Sequence, residues 1–119
     1  MKSLELSERL LEFAARIGKM VDSLPRSRLA RHIAGQVIRS GTSPAPNYEE
    51  ACSAESRADF IHKLSICLKE LRETRVWLRL IVRSELVLES KMEPLIVECG
   101  ELANILGQSI VTAKASKKV

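Results

Sequence analysis

Two rows of basic side chains recur at helical spacing in the sequence and define its strongest chemical pattern. The first row consists of Arg28, Arg31, His32 and Arg39. The second row consists of Arg72, Arg75, Arg79 and Arg83. Guanidinium groups stay charged at physiological pH and can bind a phosphate group bidentately. Both rows are therefore candidate binding surfaces for the phosphate backbone of RNA or DNA.

The local distribution of acids distinguishes the two rows. Residues 1–40 carry eight Lys or Arg against four acids, whereas residues 41–119 are balanced, and no acid interrupts 23–48. This asymmetry favours an anionic partner for the first row. The second row has two open interpretations, an anion surface or ion pairs with nearby glutamates, for which the candidates are Glu70, Glu73, Glu98 and Glu101. No zinc-finger, basic-zipper or RNP motif is present, so we expect any binding to depend on salt rather than on base sequence.

One pair of residues has the spacing of a ribonuclease signature. Arg57 and His62 match the R-x4-H pattern of HEPN-type RNases, in which a histidine could move the ribose 2′-OH proton while an arginine holds the phosphate. Ala58 follows the arginine where that pattern usually has a polar residue, so we do not expect an enzyme. Asp59 and His62 could form half of a metal pair, but a second such motif is missing, and we expect neither a metal nor a cofactor.

Hydrophobic periodicity predicts four helical segments that position these side chains. We place them at about 3–23, 26–52, 56–84 and 90–113, followed by a frayed basic tail at 114–119. The second segment is interrupted near 41–47, because Pro44 and Pro46 remove backbone donors. Capping patterns begin the last two segments, at Ser56 with Asp59 and at Ser90 with Glu93.

Segments of similar length joined by short connections predict an all-α, antiparallel up-and-down four-helix bundle forming a single domain over 1–119. No apolar run approaches the roughly 20 residues that span a bilayer, so we expect no membrane partner. Three cysteines without metal-ligand spacing (Cys52, Cys67 and Cys99) are typical of buried thiols in a reducing cytoplasm.

Apolar residues remain on two helices after the core stripes are assigned. Leu4 and Leu11 lie opposite the core stripe of the first segment, and Ile66, Trp77 and Leu80 lie away from that of the third. Because contiguous exposed apolar patches mark interaction sites, we predict a homo-oligomer with these five residues at its interface.

Two stretches of the sequence resemble a known family. RSGTSPAPNYEEA at 39–51 and SRADFIHKLSICLKELRETRVWL at 56–78 are similar to the 23S rRNA intervening-sequence proteins, also called the four-helix bundle protein family. The matching residues are Arg39, Ser40, Gly41, Thr42, Ser43, Asn47, Tyr48 and Glu50, then Asp59, Phe60, Ile61, His62, Lys63, Leu64, Lys69, Glu70, Glu73, Thr74, Trp77 and Leu78. The sequence departs from the family where Pro44-Ala45-Pro46 replaces Val-Gly-Ala and where Leu71 and Arg72 replace Ala-Asp.

This resemblance implies a small bacterial, cytoplasmic bundle that assembles into a ring, typically a homopentamer, with no attached enzymatic activity. Some relatives are encoded in intervening sequences of 23S rRNA genes, and others are accessory proteins of diversity-generating retroelements. The leading hypothesis is an oligomeric bundle that binds RNA or DNA through its arginine rows. The alternative is a ring-forming adaptor that binds a protein partner without contacting nucleic acid.

Overall fold

The computed structural model describes residues 1–116, which form five α-helices. They are α1 (Ser3–Asp22), α2 (Arg28–Thr42), α3 (Pro44–Cys52), α4 (Arg57–Arg83) and α5 (Glu89–Ala115). α2 and α3 form one interrupted arm, so the helices pack as four antiparallel arms in a rod of 54 × 22 × 20 Å. The predicted all-α, antiparallel four-helix bundle is confirmed, with its interruption inside 41–47. Of the predicted basic tail, Lys114 and Ala115 belong to α5, and 117–119 lie outside the described residues.

Each arm of the bundle contacts the arms before and after it, and α1 also packs against α5. α1 and α4 lie at diagonal corners and make no close backbone contact within residues 1–116. The α1–α2 and α4–α5 connections lie at the same end of the rod, which we call the upper end. The side chains of Met1, Phe60 and Ser116 line a common groove at the opposite, lower end.

The interior is filled by leucine-rich stripes with the predicted helical period. α1 buries Leu6, Leu10, Phe13 and Ile17, and α5 buries Met92, Leu95, Cys99, Leu102, Leu106 and Ile110. Ile81 completes the buried stripe of α4, whereas Val82 is only partly buried. Leu29 is 44% exposed because it lies in the first turn of α2, at the end of the bundle.

The interruption between α2 and α3 has a local cause in the sequence. Pro44 occupies the first turn of α3, where a missing N–H costs no helical hydrogen bond. The Asn47 side chain donates from Nδ2 to both the carbonyl oxygen and Oγ of Ser43, at 2.9 Å each. Ser43 keeps a helical backbone conformation, with φ −71° and ψ −36°. The helix is therefore interrupted at one residue without forming a loop.

A glycine permits close approach of α1 to the interrupted arm. A Cβ added to Gly41 would lie 2.8 Å from Cγ1 and 2.9 Å from Cγ2 of Ile17, and both atoms belong to a fully buried side chain. Since real Cβ atoms do not approach carbon so closely, position 41 fits only a glycine at this helix spacing.

The capping predictions have different outcomes for the last two arms. Ser56 caps α4 by accepting a hydrogen bond from the Asp59 backbone N–H at 3.0 Å, as predicted. The capping box predicted at Ser90 is wrong, because α5 begins one residue earlier at Glu89 and its N-cap residue, Leu88, has no side chain that can accept. The turn before α5 contains Glu85 in the left-handed region (φ 61°), which lets the Leu86 N–H reach the Ile81 carbonyl at 3.1 Å.

Candidate nucleic-acid and assembly surfaces

The second row lies on the solvent side of α4, towards α5. All four of its arginines are exposed, and none forms an ion pair with a carboxylate among residues 1–116. At 100° per residue, they lie about 120–160° around the helix from Trp77. The second row is thus a line of unpaired positive charges along the upper part of α4.

The glutamates that could have neutralised the second row are engaged elsewhere. Arg9 of α1 donates from Nε and Nη2 to Glu98, at 3.0 and 2.6 Å, and from Nη2 to Glu101 at 3.0 Å. Arg39 of α2 donates to Glu70 at 3.0 Å and also to Glu73. All four candidate partners of the second row therefore bind arginines of other helices.

Two further carboxylates lie near the upper end of the second row. Glu89 and Glu93 of α5 line a cleft of about 280 Å³ together with Arg75, Arg79 and Arg83. They are not within ion-pair distance of these arginines, so they weaken the local positive potential without occupying the guanidinium groups. Arg72 does not line this cleft.

Sequence reasoning missed two residues that extend the second row on the solvent face of α4. Lys69 is exposed and Val76 is 59% exposed. Together with Arg72, Arg79 and Arg83 they follow an alternating spacing of three and four residues, which places them on one helix face. The spacing in the sequence could have shown that Lys69 and Val76 belong to this face. Val76 was overlooked because it is an apolar residue among basic ones.

The first row is not brought together as a single anion surface. Arg28 and Arg31 are exposed, but Arg39 is held by its two glutamates from α4. The ring of His32 packs edge-on against Trp77, with 6.0 Å between ring centroids. The absence of acids nearby in the sequence was misleading here, because the acids that pair with Arg39 come from a neighbouring helix.

The apolar residues proposed for an interface fall into two separate patches. Leu4 and Leu11, the α1 patch, are 74% and 58% exposed. Ile66, Trp77 and Leu80, the α4 patch, are half-buried. Trp77 and Leu80 pack against the edge of the core, and Trp77 Nε1 donates to Glu73 at 2.9 Å. Because α1 and α4 occupy diagonal corners, the two patches lie on different sides of the rod.

The residues of the RNase-like pattern are not brought together. Arg57 is the first residue of α4 and lines a surface pocket beside Cys52 and Phe60, whereas His62 is exposed. Five residues apart on one helix, their side chains diverge by about 140°. Among residues 1–116, no three His, Cys, Asp or Glu side chains could hold a metal ion together.

Buried thiols and a buried phenol are the main titratable groups in the interior. Burial raises the pKa of Cys67 to about 12 and that of Cys99 to about 12, in the latter case against the opposing charge of Arg75. Cys67 donates to the Pro44 carbonyl at 3.5 Å and Cys99 to the Leu71 carbonyl at 3.2 Å. Burial also raises the pKa of Tyr48 to about 12. The expectation of a buried thiol is wrong for Cys52, which is exposed.

Comparison with known proteins identifies the family. The family model described as 23S rRNA-intervening sequence protein matches residues 2–108. The chain belongs to this family. It is also similar to the crystal structure of a protein of unknown function from the S23 ribosomal protein family of Bacteroides thetaiotaomicron, with 38% identity and a TM-score of 0.86. The match covers 92% of this chain and 98% of the other. None of the curated proteins matches the chain.

The residues that carry the 23S rRNA intervening-sequence family resemblance have structural roles here. Most of them form the contacts between the interrupted α2–α3 arm and the helices that pack against it. Their contacts are Arg39 with Glu70 and Glu73, Ser40 with Thr74, Gly41 with Ile17, Ser43 with Asn47, Glu50 with Lys63, and Glu73 with Trp77. These matching residues therefore specify how the arms of the bundle fit together, and the four arginines of the second row are not among them.

No helix among residues 1–116 combines the length and the hydropathy needed to cross a bilayer.

Proposed function

We propose that this protein binds the phosphate backbone of nucleic acid through the second row, without catalysing a reaction. The observation that carries the proposal is that four exposed arginines on one helix have no ion-pair partner within residues 1–116, although nearby arginines on other helices are paired. An unpaired guanidinium keeps its full hydrogen-bonding capacity for a phosphate.

The row follows the exposed face of one helix, which suits a long polyanion. Four phosphate contacts predict that the logarithm of the binding constant falls with the logarithm of salt concentration with a slope of about −3.6. Affinity should therefore be strong at low salt and weak at high salt.

Fluorescence anisotropy with labelled RNA and DNA, measured from about 50 to about 400 mM NaCl, tests the proposal. The test variant carries Arg72→Gln, Arg79→Gln and Arg83→Gln. A matched control carries Lys2→Gln, Arg57→Gln and Lys114→Gln, which remove the same charge from exposed residues at the lower end. We expect the test variant to lose about tenfold or more in affinity at low salt and the control to lose much less. Equal losses, or no binding by the unmodified protein, contradict the proposal.

We also propose that copies of the chain associate, with the α1 patch of one copy packing against the α4 patch of the next. The support is that the two apolar patches lie on different sides of the rod and differ in composition, two leucines in one and an isoleucine, a tryptophan and a leucine in the other. A contact between two different surfaces is heterologous, and repeated heterologous contacts close into a ring when the rotation between copies allows it. A homopentamer of this kind is what the resemblance to the family implies.

A cytoplasmic location is part of the same proposal and is supported by three free thiols, two of them buried. An adaptor that binds only protein remains the competing function. It predicts that a protein partner is recovered with the purified protein after nuclease treatment and that the second-row variant retains this partner.

A further inference from the structure

The side chains that are exposed around the second row also bear on which form of nucleic acid it binds. Proteins that bind single strands combine a basic groove with aromatic side chains on which unpaired bases stack, worth about 1–3 kcal/mol per base. A duplex keeps its bases stacked inside and offers mainly its two phosphate backbones to a protein surface. Whether aromatic side chains are exposed beside the basic row therefore distinguishes a surface for single strands from a surface for duplexes.

None of the four aromatic residues lies on the solvent face of α4 that carries the second row. Phe13 and Tyr48 are buried, and Phe60 is half-buried in the first turn of α4, at the lower end. Trp77 is half-buried on another side of α4, bonded to Glu73 through its indole nitrogen and in edge-to-face contact with His32. The solvent face of α4 presents arginine, lysine and valine instead.

The second row is carried by one continuous helix, and a duplex offers it a dense array of charge. Its arginines span about 16 Å of α4, which packs against the α2–α3 arm and α5. A duplex carries one phosphate charge per roughly 1.7 Å of axis, twice the density of one of its strands. A line of guanidinium groups on one helix therefore meets more charges per unit length on a duplex than on a single strand.

The neighbouring arms restrict how deeply α4 can enter a groove. α4 packs against the α2–α3 arm on one side and α5 on the other, so only its outer face is free. A helix that reads base edges inserts into the major groove, about 12 Å wide. Because two arms flank α4, we expect its outer face to contact mainly the phosphate backbone.

We infer that the second row recognises the phosphate backbone of double-stranded nucleic acid, independently of base sequence and in preference to single strands. This inference rests on the proposed function and adds the form of nucleic acid to it. RNA and DNA duplexes share the chemistry on which it depends.

Direct competition between forms of nucleic acid tests the inference. The probes are fluorescein-labelled 20-base-pair RNA and DNA duplexes of two unrelated sequences, with U20 RNA and T20 DNA as unstructured single strands. At about 50 mM NaCl we expect each duplex to bind about tenfold more tightly than the single strand of the same sugar, and the two sequences to differ by less than about threefold. Single strands that bind as tightly as duplexes, or a strong sequence preference, overturn the inference and leave the proposed function intact. No binding of any probe contradicts the proposed function itself.

A gain-of-function variant tests the reason for the preference. Val76 is exposed in the middle of the basic face, so Val76→Trp supplies the missing stacking surface. We expect it to raise the affinity for U20 several-fold relative to the affinity for a duplex, with Val76→Leu as the control for added apolar area. If Val76→Trp leaves U20 binding unchanged, or strengthens duplex binding equally, the stacking argument is wrong. Circular dichroism checks that both variants retain the helical fold.

Discussion

Individual thiols show how strongly one residue type depends on its place in the bundle. Cys67 and Cys99 are fully buried, and each donates a hydrogen bond to a backbone carbonyl. Cys52 lies at the end of α3 and is exposed. The same side chain thus serves as core in two places and as surface in the third.

Thiol labelling should separate these environments. We expect a disulfide reagent to modify Cys52 rapidly in the native protein, because only this sulfur is accessible, and to modify the other two at the rate of unfolding or slower. Mass spectrometry of the labelled protein identifies the site. The variant Cys52→Ala should show no fast phase, and a fast phase in that variant would contradict the burial of the remaining thiols.

The buried thiols should also make stability fall at alkaline pH. The pKa of both is raised to about 12, above the value of 9.0 for an ordinary cysteine. Between about pH 9 and about pH 12 the thiols of the unfolded chain have lost their protons, whereas the buried thiols of the folded protein retain them. Rising pH therefore favours unfolding, by up to about 1.4 kcal/mol per pH unit for each thiol. Urea unfolding between about pH 8 and about pH 10 should show this decline, since the unfolded thiols titrate there.

A variant with Cys67→Ala and Cys99→Ala provides the control for the alkaline effect. It is expected to be less stable at neutral pH, because two buried side chains are shortened, but to lose much less stability between about pH 8 and about pH 10. An equally steep decline in this variant would assign the effect to other groups.

Most of the bundle could be predicted from helical periodicity, because burying one apolar stripe per helix has few alternative solutions. The break at 41–47 also followed from Pro44 and Pro46. What the sequence could not supply was the partner of each charged side chain. Glu70 and Glu73 are close in sequence to the second row but bind Arg39, because pairing across helices depends on the rotation of each helix about its axis. Only the three-dimensional structure therefore shows that the arginines of the second row have no carboxylate partner within residues 1–116.

At the scale of the helices, the fit between α1 and the interrupted arm depends on Gly41. We expect Gly41→Ala to lower the free energy of unfolding by about 1–3 kcal/mol, because its methyl group would overlap the buried Ile17. The matched control is Gly35→Ala in the same helix, where nothing lies within 4 Å of the added Cβ. That substitution should raise stability by about 0.5–1 kcal/mol through helix propensity alone. Chemical denaturation of both variants measures the difference, and similar effects would show that α1 does not approach position 41 closely.

Arg9 connects α1 to α5. Its guanidinium binds Glu98 through two nitrogens, and Glu98 raises the pKa of Arg9. Because Arg9 and Glu98 are partly shielded from solvent, at 31% and 19% side-chain exposure, we expect Arg9→Met to destabilise the protein by about 1 kcal/mol at low salt. The loss should shrink in about 1 M NaCl, since salt screens the pair in the unmodified protein. A loss that is independent of salt would indicate that Arg9 contributes packing rather than charge.

At the scale of the whole molecule, the two apolar patches predict a specific pattern of association. Light scattering should give a mass that is a multiple of the 13.3 kDa chain. Leu11→Glu in the α1 patch and Leu80→Glu in the α4 patch should each disrupt the assembly, since every contact uses both patches. The control Val97→Glu, on α5, introduces the same charge at a residue that is 47% exposed and should leave the assembly intact.

Mixing the two disrupted variants distinguishes heterologous from isologous contact. In a heterologous arrangement, the intact α1 patch of one variant can bind the intact α4 patch of the other, so the mixture should form a heterodimer and stop there. An isologous contact, in which each patch meets the same patch of another copy, predicts a homodimer from each single variant and no new species on mixing. If light scattering gives the unmodified protein a mass of 13.3 kDa at micromolar concentration, the chain does not associate and the proposal is contradicted.

The positions of the α4 patch and the second row around one helix have a consequence for avidity. Because the arginines lie about 120–160° around α4 from Trp77, a copy that packs against Trp77 leaves most of the second row uncovered. Joined copies would then present several phosphate-binding lines on one body, and after the first engages a duplex the others act at high effective concentration. A row that binds weakly by itself would hold a long duplex tightly and a short one poorly, with a length threshold set by the distance between rows.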